Sequence, residues 1–136
     1  MRAIAWIVSI GAVLLTCGAG QAGAAEAGGG ARLCAFTEVL ECSPLLGCER
    51  VLPAQVGLPD FIRVDPAGGR VSAGEAGDAR QTTVRFKEEV EGLTILGGSE
   101  NGRGWSATLS ADGRRLTAAI AEGAGSFVLF GACTQD

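Results

Sequence analysis

Short runs in which apolar and polar residues alternate fill the chain from residue 33 to residue 134, and turns rich in glycine or acidic residues separate them. Successive side chains of a β-strand point to opposite faces of the sheet, so this alternation is typical of strands with one buried face. No segment shows a convincing helical period. The alternation predicts strands at residues 33–42, 48–52, 60–65, 70–73, 81–90, 93–99, 104–110, 115–121 and 126–134.

The turns between these runs favour antiparallel hairpins. Asn101-Gly102 and Asp112-Gly113 each lie between alternating runs, and such pairs indicate hairpins because both central positions of the preferred turn need positive φ. Consecutive hairpins form an antiparallel meander, and closing it removes the free strand edges at which chains aggregate. We therefore expect an all-β fold, either a small antiparallel meander or a closed or partly closed β-barrel of about eight strands.

The alternation also assigns an inner face to this sheet. Glu88 interrupts that face, and we interpret Glu88-Glu89 as a β-bulge that turns both carboxylates outward. The last run is apolar on both sides because of Val128 and Phe130, so either residues 33–52 cover its second side or the two residues form a docking patch. The predicted inner residues are Val84, Phe86, Leu93, Ile95, Trp105, Ala107, Leu109, Leu116, Ala118, Ile120, Phe127 and Leu129.

Four cysteines accompany these strands: Cys34, Cys42, Cys48 and Cys133. A zinc site or a redox pair would normally show a Cys-x-x-Cys spacing, which is absent here, and the chain contains no histidine. The remaining interpretation is a pair of structural disulfides, and the sequence alone leaves all pairings open. Pro44 and Gly47 favour a tight loop closed by Cys42 and Cys48, which would leave Cys34 to reach Cys133.

The chain begins with Met1-Arg2, an apolar run over residues 3–15 and a stretch of small residues. This order predicts a signal peptide over residues 1–24, cleaved after Ala24. An alternative is a lipoprotein signal in which Cys17 carries the lipid. The predicted organisation is a signal peptide (1–24), a flexible N-terminal segment (25–32) and one β domain (33–136), periplasmic or secreted, with no transmembrane span in the mature chain.

Length and charge restrict the functions open to the chain. Its 136 residues leave room for one domain, and its net charge of −4, with arginines scattered along it, lacks the clustered positive charge of a nucleic-acid site. Without histidine, Ser-His-Asp and Cys-His catalytic sites are excluded. We expect the acidic groups around Glu38 and Glu88 to be solvated charges. The sequence thus predicts no catalytic residue, no metal site and no cofactor.

Four stretches, ECSPLLGC, GLPDFIRVD, NGRGWSATL and FVLFGACT, resemble in this order a group of small exported bacterial β proteins of unknown activity. More distantly, the chain is similar to the periplasmic and lipoprotein barrels that inhibit C-type lysozyme. That resemblance implies a protein partner and points to residues 99–105 as the counterpart of an inhibitory loop. The serine and tyrosine of such loops are matched here only by Ser99, since the chain has no tyrosine.

These observations predict an exported non-catalytic binding or interaction protein of the bacterial envelope, such as an inhibitor of a cell-wall hydrolase. One alternative is a ligand-carrying or structural barrel with an apolar cavity lined by Trp105 and Phe86. Another is a carboxylate-dependent hydrolase, which would need Glu38, Glu88 and Asp60 to converge. The candidate contact residues are Asn101, Arg103, Trp105, Val128 and Phe130.

The first prediction concerns processing. If residues 1–24 are a signal peptide, the exported protein begins at Ala25, and intact mass spectrometry will show loss of those residues. Retention of Met1 would contradict export by this route. A diacylglyceryl group on Cys17 would instead establish the lipoprotein alternative.

Overall fold

The computed structural model describes residues 30–74 and 80–135, so the predicted signal peptide and all but the end of the segment 25–32 lie outside the described residues. Within those ranges the chain forms ten strands and one short 3-10 helix, Pro53–Val56, and none of its helices is long and apolar enough to cross a membrane. The strands are β1 Arg32–Ser43, β2 Gly47–Val51, β3 Phe61–Asp65, β4 Arg70–Ala73, β5 Gln81–Thr83, β6 Phe86–Val90, β7 Leu93–Glu100, β8 Arg103–Leu109, β9 Arg115–Glu122 and β10 Gly125–Gln135.

All ten strands belong to one antiparallel sheet with the order β5-β4-β3-β1-β10-β9-β8-β7-β6, and β2 pairs with the far half of β1. Its two ends are formed by the same stretch of chain, because only Val84 and Arg85 separate β5 from β6. The backbone N–H of Arg85 donates to the carbonyl of Gly97 at 2.8 Å, and β5 lies against β7. The sheet therefore curls until its ends meet, which confirms the predicted all-β, partly closed barrel.

The tight turns form where the sequence predicted them. Asn101 and Gly102 have φ values of 50° and 77° between β7 and β8, as a two-residue hairpin turn requires. The turn between β8 and β9 is held by Asp112, whose carboxylate accepts hydrogen bonds from the Ser110 hydroxyl at 2.5 Å and the Arg114 N–H at 3.0 Å. Both hydrogen bonds lower the pKa of the Asp112 carboxyl below its usual value, and the bond from Ser110 has the larger effect.

The core lies on the concave side of the sheet. It contains all the predicted inner residues except Phe86, Leu93 and Ile95, which were assigned wrongly. On β7 the buried residue is Leu96, with no exposed surface, and it pairs with the buried Ala107 of β8. Since neighbours along a strand face opposite sides, Leu93 and Ile95 point outward. In the run Leu-Thr-Ile-Leu-Gly-Gly, apolar residues occur at positions that face both sides of the sheet. The sequence of this run therefore did not show which side is buried.

The predicted bulge at Glu88-Glu89 is also wrong. The β6–β7 ladder is regular from Phe86 opposite Gly97 to Val90 opposite Leu93. Glu88 faces outward because it pairs with the outward-facing Ile95, and no bulge is needed to expose it. An irregularity in register does occur in β1, between Phe36 and Glu38, where β1 bends along β10.

Both predicted disulfides are confirmed. Cys34 and Cys133 face each other across β1 and β10 and are bonded inside the core, where Cys34 has no exposed surface. Cys42 and Cys48 face each other across β1 and β2 and close the tip of that hairpin. One bridge therefore joins strands separated by 99 residues, whereas the other closes a loop with a separation of 6 residues.

We predict that the two bridges contribute unequally to stability. By the chain-entropy relation, removing the cross-link with a separation of 99 residues costs about 4.7 kcal/mol, and removing the one with a separation of 6 residues costs about 2.2 kcal/mol. The paired variants Cys34→Ala/Cys133→Ala and Cys42→Ala/Cys48→Ala should be compared by urea denaturation of the exported domain. The first pair also loses packing in the core, so its loss should be the larger. An equal or reversed order would contradict the assignment of the long-range bridge as the main constraint.

Candidate functional site

A cleft of about 300 Å³ opens on the concave side of the sheet. Strands β3, β4 and β5 form one wall, β8 and β9 form the other, and the segment before β3 lies at its edge. Most of the lining is apolar, and its large side chains include Phe36, Leu58, Ile62, Trp105, Ile120 and Leu129. Ligand sites in proteins are typically concave and apolar with a few polar groups at defined positions, and this cleft has that form.

Trp105 is the principal aromatic side chain of the cleft. It lies on β8, half-buried, and its indole Nε1–H donates to the Thr82 hydroxyl on β5 at 3.2 Å. This hydrogen bond crosses the place where the two ends of the sheet meet. The polar edge of the ring is thus satisfied by the protein, while its carbon face is available to an apolar ligand.

The absence of a side chain at Gly98 leaves the space that the Trp105 ring occupies. It pairs with Trp105 across β7 and β8. A Cβ atom at residue 98 would lie 2.6 Å from the Trp105 Cζ2 atom and 2.7 Å from the carbonyl oxygen of Thr83. Both distances are far inside van der Waals contact, so only glycine permits the ring and the β5 backbone to approach here.

Polar and charged side chains form the rim of the cleft. Arg103 Nε is 2.8 Å from a carboxylate oxygen of Glu122, an ion pair that is partly exposed and contributes about 0.2–1 kcal/mol. Arg80 donates to the carbonyl of Gly57 at 3.2 Å, and no carboxylate pairs with it among the described residues. The rim therefore offers a cation whose charge is not neutralised within the part of the chain that the structure describes.

The structure brings three predicted contact residues together. Asn101, Arg103 and Trp105 all line the cleft, because the β7–β8 hairpin carries them to one edge of it. Phe86 was predicted to line a cavity with Trp105, but it lies on the outer face and is 52% exposed.

The other two predicted contact residues, Val128 and Phe130, are on the outer face of β10, away from the cleft. Phe130 is 39% exposed and pairs with Glu38 on β1. The interpretation that residues 33–52 lie across this face is wrong, since β1 runs beside β10 in the plane of the sheet. The second side of β10 is therefore not covered by that segment.

Sequence reasoning missed the opposite wall of the cleft. Phe36, Ile62, Val71, Arg80 and Thr82 were not singled out, although all of them line it. The alternation of the β3 and β4 runs does place Ile62 and Val71 on a buried face. Only the curl of the sheet, however, turns that face toward Trp105.

The acidic residues do not form a catalytic pair in this cleft. Glu38 accepts from Arg50 at 2.6 Å on the outer side of β1, and Glu88 lies on β6, five strands away in the sheet order. Asp60 is exposed, and it contacts β1 through its backbone carbonyl, which accepts from the Phe36 N–H. Among the described residues, Glu100 is the only acid lining the cleft, and no cluster of metal-ligating side chains occurs. The arrangement is suited to binding.

We predict that Gly98→Ala displaces Trp105. Removal of residues 1–24 leaves Trp105 as the only tryptophan, so its fluorescence reports on the cleft directly. The added methyl group should shift the emission to longer wavelength, increase quenching by acrylamide and destabilise the domain by about 1–3 kcal/mol.

Gly104→Ala is the matched control, because a Cβ there would meet no atom within 4 Å. Its fluorescence and stability should remain close to those of the parent protein. Equal behaviour of the two variants would contradict the proposed packing of Trp105 against Gly98.

Comparison of the chain with protein-family models, with curated proteins and with solved structures gives no match. The resemblances noted in the sequence therefore remain predictions.

Proposed function

We propose that this chain is an exported, non-catalytic binding protein whose cleft holds a small ligand with an apolar body and an anionic end. The observation that carries the proposal is the apolar cleft of about 300 Å³ with Trp105 on one wall and a polar rim. A volume of this order is at the lower end of the range for small-molecule sites, roughly 300–1,000 Å³. The ligand should accordingly be narrow and short, such as a medium-length acyl chain.

The preference for an anionic end is supported by Arg80. Its guanidinium is at the rim and donates to the carbonyl of Gly57, and its other N–H groups have no hydrogen-bond partner among the described residues, so they can bind a carboxylate. The second cation at the rim, Arg103, is already paired with Glu122. Arg80 is therefore the group that would distinguish an acid from the corresponding alcohol.

Export is supported by the disulfides. Two bridges in a chain of this size are compatible with an extracytoplasmic protein, because such bonds form and persist in oxidising compartments. A periplasmic or secreted location, and the protein partner predicted from the sequence, form part of the proposal. Inhibition of a cell-wall hydrolase is the narrower function to test once a partner is known, and the loop predicted for it, residues 99–105, lies at the edge of the cleft.

The test uses decanoate and decanol as probes of the domain beginning at Ala25. We expect decanoate to bind saturably and to change the fluorescence of Trp105, whereas decanol should bind more weakly. Arg80→Gln should weaken decanoate binding about tenfold and leave decanol binding nearly unchanged, because a hydrogen bond to a charged group is the interaction removed. Isothermal titration calorimetry measures both.

A pair of substitutions on one strand supplies the control. Ala118 of β9 faces the cleft and Ala119 faces the outer side, where it is exposed. Ala118→Phe should fill the cleft and abolish binding, while Ala119→Phe should bind as the parent does. Circular dichroism checks that both variants are folded. Absence of saturable binding, or equal binding by both variants, would overturn the proposed ligand site.

A further inference from the structure

The tip of the β1–β2 hairpin exposes two leucines that make little contact with the rest of the domain. Leu45 is 95% exposed and Leu46 is 84% exposed, more than any other large apolar side chain in the described residues. The tip extends beyond the last β1–β10 pair, Cys42 opposite Ser126, so no strand of the barrel flanks it. Scattered exposed leucines are ordinary, but two adjacent ones at the end of a projecting turn concentrate the unburied apolar surface at one point.

This tip is braced by a disulfide, a strand ladder and a hydrogen bond. The Cys42–Cys48 bridge lies directly beneath it, and the β1–β2 ladder continues to Ser43 opposite Gly47. The Ser43 hydroxyl accepts a hydrogen bond from the Leu46 N–H at 3.2 Å, and Gly47 has φ of +76°, a conformation that side chains rarely adopt. A braced turn loses little conformational entropy when it binds, so its affinity per buried side chain is high.

The charge around the tip indicates which kind of surface it fits. Glu41 and Glu49 face each other across the two strands, an arrangement that is destabilising for like charges. Neither forms an ion pair within the described residues, whereas the neighbouring Glu38 is paired with Arg50. An acidic pair beside an apolar tip is repelled by the anionic headgroups of a membrane and attracted by lysine or arginine on a protein.

We propose that the β1–β2 hairpin is a protein-docking element. Leu45 and Leu46 insert into an apolar pocket of a partner protein, and basic residues at the rim of that pocket pair with Glu41 and Glu49. The hairpin tip does not line the ligand cleft, so this interaction is separate from the proposed ligand binding. Its energetic pattern is that of a small apolar anchor surrounded by charges that steer association.

The experiment begins by placing the photocrosslinking residue p-benzoylphenylalanine at position 45 in cells that produce and export the chain. A crosslinked protein is identified by mass spectrometry and then purified for binding measurements with the disulfide-intact domain. The double substitution Leu45→Ser/Leu46→Ser should raise the Kd for this partner about a hundredfold, because the complex no longer buries two leucine side chains. Leu52→Ser is the matched control, since Leu52 is 66% exposed but lies beyond the end of β2, and its Kd should not change.

Two further variants test the acidic pair Glu41/Glu49 and the Cys42–Cys48 bridge. Glu41→Gln/Glu49→Gln should reduce the salt dependence of the association rate, because the steering charges are gone. Cys42→Ser/Cys48→Ser should weaken binding about tenfold with both leucines still present, because the loop then has to be ordered on binding. All variants should keep the circular dichroism spectrum of the parent and its binding of decanoate, which separates this proposal from the cleft.

Three outcomes would overturn the proposal. One is a crosslinked partner whose affinity is the same for the leucine variant and for Leu52→Ser. Another is a crosslink only to a second copy of this chain, which would make the hairpin a dimer contact. The third is leucine-dependent sedimentation with vesicles of phosphatidylethanolamine and phosphatidylglycerol, which would assign the tip to a membrane surface.

Discussion

The pairing of β1 with β10 is the constraint on which the rest of the structure depends. Almost every other pairing in the sheet is a hairpin between strands that follow one another in sequence. The exception is the pairing of β1 with β3, and only β2 and the short helix lie between these two strands in sequence. The β1–β10 ladder alone joins the two ends of the chain, and it connects the block β3–β5 to the block β6–β9. Without it the two blocks would be joined only where β5 meets β7, and the curled sheet would be open along the whole length of β1 and β10.

The Cys34–Cys133 bridge lies within that ladder, and its position has a clear physical reason. Contacts between residues distant in sequence require loop closure before any burial is gained, and this ladder is the most distant in the chain. A covalent link across it restricts the unfolded chain most strongly where closure is most costly. The core is built largely from aliphatic side chains and alanine, and Phe127, at 6% exposure, is the one buried aromatic residue among those that the structure describes. Such a constraint therefore matters more here than in a larger domain.

The curl of the sheet forms the proposed ligand cleft, and the far end of β1 forms the proposed docking hairpin. Closure at Arg85 and Gly97 brings the wall of β3–β5 opposite β8–β9 and leaves the cleft between them. The far end of β1 continues past the start of β10 into the braced hairpin with Leu45 and Leu46. One strand thus holds the barrel together through a buried disulfide and presents an exposed apolar tip through a second one. The concave site and the projecting tip therefore lie on separate parts of the domain.

The sequence by itself determined the features that arise between near neighbours. The Asn101-Gly102 turn needs only local backbone geometry, and the faces of β8 and β9 follow from the alternation around Trp105 and Leu116. The sequence favoured the Cys42–Cys48 bridge because of the turn residues in the short loop, without excluding the other pairings, and the structure confirms it together with Cys34–Cys133. Asn101, Arg103 and Trp105 were predicted as contact residues from the resemblance of residues 99–105 to an inhibitory loop, and the β7–β8 hairpin carries all three to the cleft.

Only the tertiary structure decided the features that depend on distant partners. The burial of Leu96 instead of Ile95 is set by its pairing with Ala107, since both residues are equally apolar in sequence. β1 lies beside β10, and not across it, because the two strands form a ladder between the two ends of the chain. The alternation within each strand shows which face is buried, but it does not show which distant strand will be the partner. The cleft itself exists because the sheet curls far enough for Ile62 and Val71 to face Trp105. Curvature is a property of the whole sheet and its packing, so no local pattern in the sequence encodes it.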